Sequence, residues 1–262
     1  MTTATTKTRV TFADYLTYFD EIVMPLYTFA FFTEPVPPVN PPGINGNVRY
    51  LHVDNLVAAI EPDLDVQGLK EVAEEVLLKA VLSHDRVICE LFQDRTLLPL
   101  RFGTAFVSEV ALRDYLHSHN RELSDRLQKL QNYAEYPIKA KFLSRSSQQD
   151  SEQTDTKPEL KGKEYLLAKR DFYIQQQETR SLQQQEYTDL VNLLNSISLE
   201  MKHPAAPRIS EQQNRDELRA FMLLKSDQVD LLQTAINEWL RDRVSWQVAI
   251  AAPLPPYHFA DL

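Results

Sequence analysis

Three consecutive residues, Ser83-His84-Asp85, carry the letters of a nucleophilic relay. A relay needs serine, imidazole and carboxylate to converge, whereas successive residues on a helix diverge by about 100° each. The trio lies in such a helical stretch. Over 68–92, Leu69, Val72, Val76, Ala80, Val87 and Leu91 recur at helical spacing, with a break expected near Ser83-His84. Ser83 or Asp85 then serves that break, and no GxSxG occurs elsewhere. The histidines are His52, His84, His117, His119, His203 and His258. His117 and His119 stand two apart on an expected helix, pointing about 200° from each other, and cannot share an ion. No HExxH and no Cys/His cluster is present, so no metal site is expected. Phosphate loops need glycines for close backbone approach; the glycines here are Gly43, Gly46, Gly68, Gly103 and Gly162, in neither GxGxxG nor GxxxxGK[ST] order. Glu71, Glu74 and Glu75 fall on the polar side of the helix, where solvation explains them. No cofactor is expected.

The single cysteine, Cys89 beside Ile88, reads as core filler; it allows no intrachain disulfide and fits a reducing compartment. A net charge of −9 argues against sequence-independent nucleic-acid binding, which needs a clustered basic surface. Nor does the open-face aromatic and basic signature of an RNA-binding sandwich appear: Arg101 and Phe102 are adjacent in an expected strand and point to opposite faces. No apolar run approaches the ~20 residues of a membrane span, and "MTTATTKTRVTF" is no secretory signal. The expectation is a cytoplasmic protein with neither nucleic acid nor membrane as partner.

The 262 residues, 43% hydrophobic and 25% charged, suit two domains each with its own core. "FADYLTYF" is a thin candidate for a short helix, and "LYTFAFFT", 26–33, reads as a buried strand. The prolines of "EPVPPVNPPGINGN", 34–47, make a stiff surface loop. "RYLHVDNLVAAIEP", 49–62, reads as a hairpin turning at Asp54-Asn55. After the 68–92 helix comes a strand at 96–107, then a helix capped by Ser108 with Leu112, Leu116, Leu123, Leu127 and Leu130 in one stripe. "EYPIKAKF", 135–142, reads as an edge strand with Pro137, Lys139 and Lys141 outward. With one hairpin strand set aside, this is the βαββαβ order of a ferredoxin-like sandwich.

A polar stretch, 144–163, reads as a flexible linker. Residues 164–195 read as a long helix too polar at its centre to be buried, hence solvent-exposed or paired with a partner. Strands are expected at 196–203, 217–225 and 246–259, with a helix after Ser226 carrying Val229, Leu232, Ile236 and Trp239 on one face. The expectation is an α+β protein: two ferredoxin-like-related α/β sandwich halves with antiparallel sheets. Its domains would be 1–143, the linker 144–163, and 164–262 with the long helix, a smaller sandwich and a Pro-rich tail.

"LLPLRFGTAF", 97–106, is an unusual strand, because Pro99, Arg101 and Gly103 share one face of an apolar run. It resembles the "lPLRFGtvf" signature of the gas vesicle protein F/L family, most like a cyanobacterial-type F protein. In the same order, "HDRVICELFQDRTLLPLRFG" with His84, Val87 and Ile88 resembles the run before that signature. "GKEYLLAKR", 162–170, resembles the opening of the family's second half, and "APLPPYHF", 252–259, its C-terminal "GPwPPYsF". This chain has Ala252 for the usual glycine and Leu254 for the usual aromatic.

The resemblance implies a non-enzymatic accessory or minor structural protein of gas vesicles, located in the cytoplasm and on the vesicle. Its implied partners are the main hydrophobic shell protein and other accessory gas vesicle proteins. Partner contacts are placed by motif at Pro99, Arg101, Phe102, Gly103, Tyr136, Pro255, Pro256 and Tyr257, and structural linkage at His84, Tyr165, Lys169 and Arg170. Arg101 is expected either to pin a carboxylate or loop carbonyls or to stand at a docking edge. The "LYTFAFFT" neighbourhood and strand 135–142 are further docking candidates. The alternative is a ligand-sensing or enzymatic ferredoxin-like protein, which would show saturable stabilisation by a small metabolite.

Overall fold

The computed structural model describes residues 25–38, 40–66, 68–70, 72–143, 162–210 and 216–261. The short helix expected at "FADYLTYF" and nearly all of the expected linker, 144–161, lie outside them. By density of contacts the chain forms two units: one running to Arg95 and resuming over Leu100–Ser124, the other comprising Thr96–Pro99 and the chain from Asp125 onward.

In the first sheet, β1 (Leu26–Thr33) is flanked on one side by β3 (Leu56–Glu61), which forms a hairpin with β2 (Arg49–Val53). The hairpin closes with Val53 opposite Leu56, and Asp54 takes the left-handed conformation (φ 54°) that a two-residue turn demands. On the other side of β1 lie β4 (Leu97–Pro99) and β5 (Ala105–Phe106), so the order is β2-β3-β1-β4 with β5 also against β1. With neighbours on both sides, β1 is buried over all but its last residue, which accounts for its aromatic run.

Helix α1 (Glu74–Phe92) is unbroken, contrary to the expected interruption at Ser83-His84. His84 instead lies on its buried face with Ala80, Val87, Ile88 and Leu91, so helical periodicity simply continues through it. Cys89 is half-buried rather than a core residue, with its Sγ 3.9 Å from Asp85 Oδ2 one turn earlier. The helix capped by Ser108 is two helices, α2 (Glu109–Ser118) and α3 (Asn120–Lys129). Ser108 Oγ does accept the Ala111 N–H at 3.1 Å, and His119 (φ −106°, ψ 12°) makes the break.

The second sheet has the order β7 (Arg208–Ile209), β8 (Glu217–Leu224), β6 (Ala134–Phe142), β9 (Trp246–Ile250), all antiparallel. Strand β6 is therefore not an edge strand completing the first sheet; it is an inner strand of the second. Alternate residues Tyr136, Ile138, Ala140 and Phe142 face a core with Leu218, Ala220 and Met222 of β8. Pro137 is tolerated inside the sheet because the ladder is irregular there. Its carbonyl accepts the Ala251 N–H at 2.8 Å just past the end of β9, and pairing resumes only at Glu135–Leu254.

Two helices cover this core: α5 (Val229–Leu240) through Leu232, Ile236 and Trp239, and α4 (Lys163–Glu200) through Leu190, Leu194 and Ile197. The strand expected at 196–203 is the last turn of α4 and the turn after it. Ile197 continues the i, i+3, i+4 stripe begun at Leu190, so helical spacing overrides the β-branched composition of "SIS". No described helix is long and apolar enough to cross a membrane.

Candidate functional site

The stretch 97–106 is not one strand. Leu100 N–H donates to the Phe29 carbonyl at 2.9 Å, and Thr28 N–H to the Thr104 carbonyl at 2.9 Å. Adjacent residues of β1 thus face residues four apart, and Arg101-Phe102-Gly103 is looped out of the ladder. The loop is a tight turn: the Arg101 carbonyl accepts both the Thr104 N–H (3.1 Å) and its hydroxyl (2.7 Å). Gly103 sits at φ 85°, a conformation that costs an L-residue about 1–2 kcal/mol. Its Cβ position is open, so Gly103→Ala is expected to lose about that amount through backbone strain alone, read from urea unfolding.

Two buried side chains fix the turn at both ends. His84 Nε2 lies 3.1 Å from the Leu100 carbonyl, an acceptor, so the proton sits on Nε2. Nδ1 then accepts the Tyr27 hydroxyl proton at 2.8 Å, and the Tyr27 oxygen accepts the Gly103 N–H at 3.2 Å. The chain of hydrogen bonds runs from the Gly103 N–H through Tyr27 and His84 to the Leu100 carbonyl, the final acceptor, and so ties one end of the turn to the other. Burial pushes the His84 imidazole below its ordinary value, keeping it neutral as this chain requires, although the Leu100 carbonyl and Asp85 oppose the shift. Burial likewise pushes Tyr27 up to about 12, against the pull of the Gly103 N–H, so the phenol keeps its proton. The His84 ring stacks on Phe29 (centroids 5.4 Å apart) and meets Phe102 edge-on (5.6 Å). Phe102 is half-buried by this contact, while Arg101 and Gly103 are exposed. Arg101 makes no side-chain hydrogen bond or ion pair with any described residue; fixing the turn falls to His84 and Tyr27 instead.

A second fixed loop went unread in the sequence. Glu61 is buried at 2% exposure, yet its carboxylate accepts three successive N–H groups, from Ile44 (2.6 Å), Asn45 (2.8 Å) and Gly46 (2.5 Å). A Cβ on Gly43 would collide with that carboxylate. Arg86 of α1 adds bonds to the Pro42 and Gly43 carbonyls at 2.8 and 3.3 Å. The proline-rich loop is thus held to the body of its unit. Its available signal was the pair Gly43 and Gly46 beside two prolines, a sequence suited to wrapping an anion in backbone amides.

The C-terminal segment is also pinned. Glu135, fully buried, accepts both the backbone N–H and Nδ1 of His258 at 2.8 Å, and the His258 ring stacks on Phe221 at 3.7 Å. Pro255, Pro256 and Phe259 are buried. Glu135→Gln leaves one oxygen for two donors; it is expected to cost about 1–2 kcal/mol and to speed amide hydrogen exchange over 254–259.

Of the residues placed as partner contacts, Pro99, Tyr136, Pro255 and Pro256 are therefore buried and offer a partner no surface; Tyr257 is half-buried. Strand β1 and the β6 edge drop out for the same reason. Arg101, Phe102 and Gly103 come together on the turn that His84 holds. Among the described residues, Lys169 lies over the Tyr165 ring (5.9 Å) and Arg170 pairs with Asp171 (2.9 Å), all within one helix. Among the described residues no group of His, Cys, Asp or Glu is arranged to hold a metal ion. His117 pairs with Asp54 (3.0 Å), whereas His119 stacks on Tyr115 (4.3 Å).

Comparison with known proteins supplies a fold and a family. The gas vesicle protein GvpF from Anabaena sp. PCC7120 has a crystal structure similar to this chain, with a TM-score of 0.62 at 19% identity, over 91% of this chain and 97% of that one. The crystal structure of GvpF from Microcystis aeruginosa is similar with a TM-score of 0.60 at 17% identity, over 92% and 100%. No curated protein sequence matches. The family described as gas vesicle synthesis protein GvpL/GvpF matches residues 25–261, nearly the whole chain. That match spans the α+β architecture with its two antiparallel sheets: this chain is a member of the GvpL/GvpF gas vesicle synthesis family.

Proposed function

We propose that the chain is a non-enzymatic accessory or minor structural protein of gas vesicles, working in the cytoplasm and at the vesicle. It binds the main shell protein during assembly and keeps it from aggregating. A shell subunit must be apolar on its gas side, and before assembly that surface invites aggregation. A soluble partner that engages the subunit early suppresses this.

The observation that carries the reading is the Arg101–Gly103 turn. It presents an exposed guanidinium and the rim of Phe102 on a backbone already fixed by Tyr27 and His84. Pre-formed binding elements lose little entropy on docking, and the planar Arg101 fork suits a carboxylate beside an apolar surface. The test is capture of purified shell protein by the immobilised chain. The intact chain is expected to retain it and Arg101→Glu to retain at least tenfold less, with unchanged unfolding. No capture by the intact chain would end the proposal.

A further inference from the structure

The two faces of the second sheet differ. One carries Tyr136, Ile138, Ala140 and Phe142 against the core. On the opposite face the C-terminal segment covers one end. There His258 stacks on Phe221, and Arg208, opposite Phe221 in the ladder, lies over the Phe259 ring (5.9 Å) and pairs with Asp261 (3.4 Å). At the other end of that face Lys139, Lys141, Arg219, Gln247 and Ala249 are exposed.

This open end is cationic. Lys139 of β6 stands directly opposite Arg219 of β8, and Lys141 lies between Glu217 and Gln247. Like charges directly opposed across a ladder cost stability. Glu217 relieves Arg219 at 3.4 Å, but neither Lys139 nor Lys141 makes an ion pair or side-chain hydrogen bond with any described residue. Three cations thus meet one carboxylate on a patch of a chain whose net charge is −9.

The size of the patch selects the class of anion. Anionic membranes are held by clusters of about four to eight Lys or Arg, and nucleic acid by a comparable number of phosphate contacts. Three cations fall short of both, and the acidic remainder of the chain repels an extended polyanion. Phe221, which could stack a base, lies under the His258 ring. A short run of carboxylates matches the patch in charge and in reach.

We propose that the open end of this sheet is a docking face for an acidic polypeptide segment of a partner protein, two or three of whose carboxylates meet Lys139, Lys141 and Arg219. The face lies in the second unit and the RFG turn in the first, so the contact does not rest on the role given to that turn. The charges are exposed, and binding weakens with salt.

A labelled, N-acetylated dodecapeptide of alternating glutamate and serine, titrated with the full chain and followed by fluorescence anisotropy, tests this. Saturable binding is expected at low salt and at least tenfold weaker binding in about 0.5 M salt. Lys139→Gln combined with Lys141→Gln is expected to bind at least tenfold more weakly. Lys139→Arg combined with Lys141→Arg keeps the charge and is expected to stay within about twofold of the wild type. These side chains are exposed, so urea unfolding of both variants should match or exceed the wild type. Zero-length carbodiimide coupling joins carboxylates to adjacent lysines, and mass spectrometry is expected to find the peptide on Lys139 and Lys141. No saturable binding, equal binding by the glutamine variant, or coupling elsewhere on the chain would overturn the proposal. So would tighter, lysine-dependent binding of single-stranded DNA or of anionic phospholipid vesicles. Coupling of Lys139 or Lys141, without peptide, to a carboxylate of this chain other than Glu217 would also overturn it, because the face would then belong to the protein itself.

Discussion

His84→Ala is expected to destabilise the protein by about 3 kcal/mol and to unfix the RFG turn. The substitution empties a site packed between Phe29 and Phe102, and it leaves the Tyr27 hydroxyl and the Leu100 carbonyl without their partner. Urea unfolding reads the stability, and amide exchange at Gly103 reads the turn. The same residue makes stability depend on pH. Burial holds the native His84 below its ordinary 6.5, so below that pH the unfolded chain takes up a proton that the native one refuses. The stabilisation is complete above about pH 6.5 and is lost as the pH falls toward the native value. His203, also pushed down by burial, adds to the same window from the second unit. His84→Gln is expected to remove the first share of this acid sensitivity and leave the second.

Glu61→Ala is expected to cost about 3 kcal/mol and to release the proline-rich loop. It deprives the N–H groups of Ile44, Asn45 and Gly46 of their acceptor at once, although water reaches the exposed Asn45 and Gly46 and limits the loss. Glu61→Gln keeps the shape but turns an NH2 group toward backbone donors, and about 2 kcal/mol is expected. Loss of protection at 44–46 with retained protection in β1 would place the damage in the loop; retained protection at 44–46 would contradict it.

The elements set by local pattern were legible in the sequence: the aromatic β1, the hairpin at Asp54, the Ser108 cap and the apolar stripe of α5. What was not legible depends on contacts far apart in the chain. Strand β6 reads as an edge because Pro137 and two lysines are edge residues, but its neighbours, β8 and β9, lie about 80 and 110 residues further on. The RFG segment alternates like a strand, and only the register of β1 shows that three residues are looped out. The family motif marks His84 as a residue expected to link, but its partner could not be read from the sequence, since Tyr27 is 57 positions away. Glu61 looked like any charge at the end of a strand; its role rests on a loop that returns from 15 to 17 residues earlier. Arg101 was read as a possible internal clamp, and its exposure turns that expectation outward.

The central claim is that the RFG turn is built before any partner arrives and is what the shell protein meets. Tyr27→Phe tests it most directly: the ring still fills the core, but the hydroxyl joining Gly103 to His84 is gone. Calorimetric titration with purified shell protein should show this variant binding at least tenfold more weakly than the intact chain, with Arg101→Ala at least as impaired. Equal affinity for the intact chain and both variants would contradict the account.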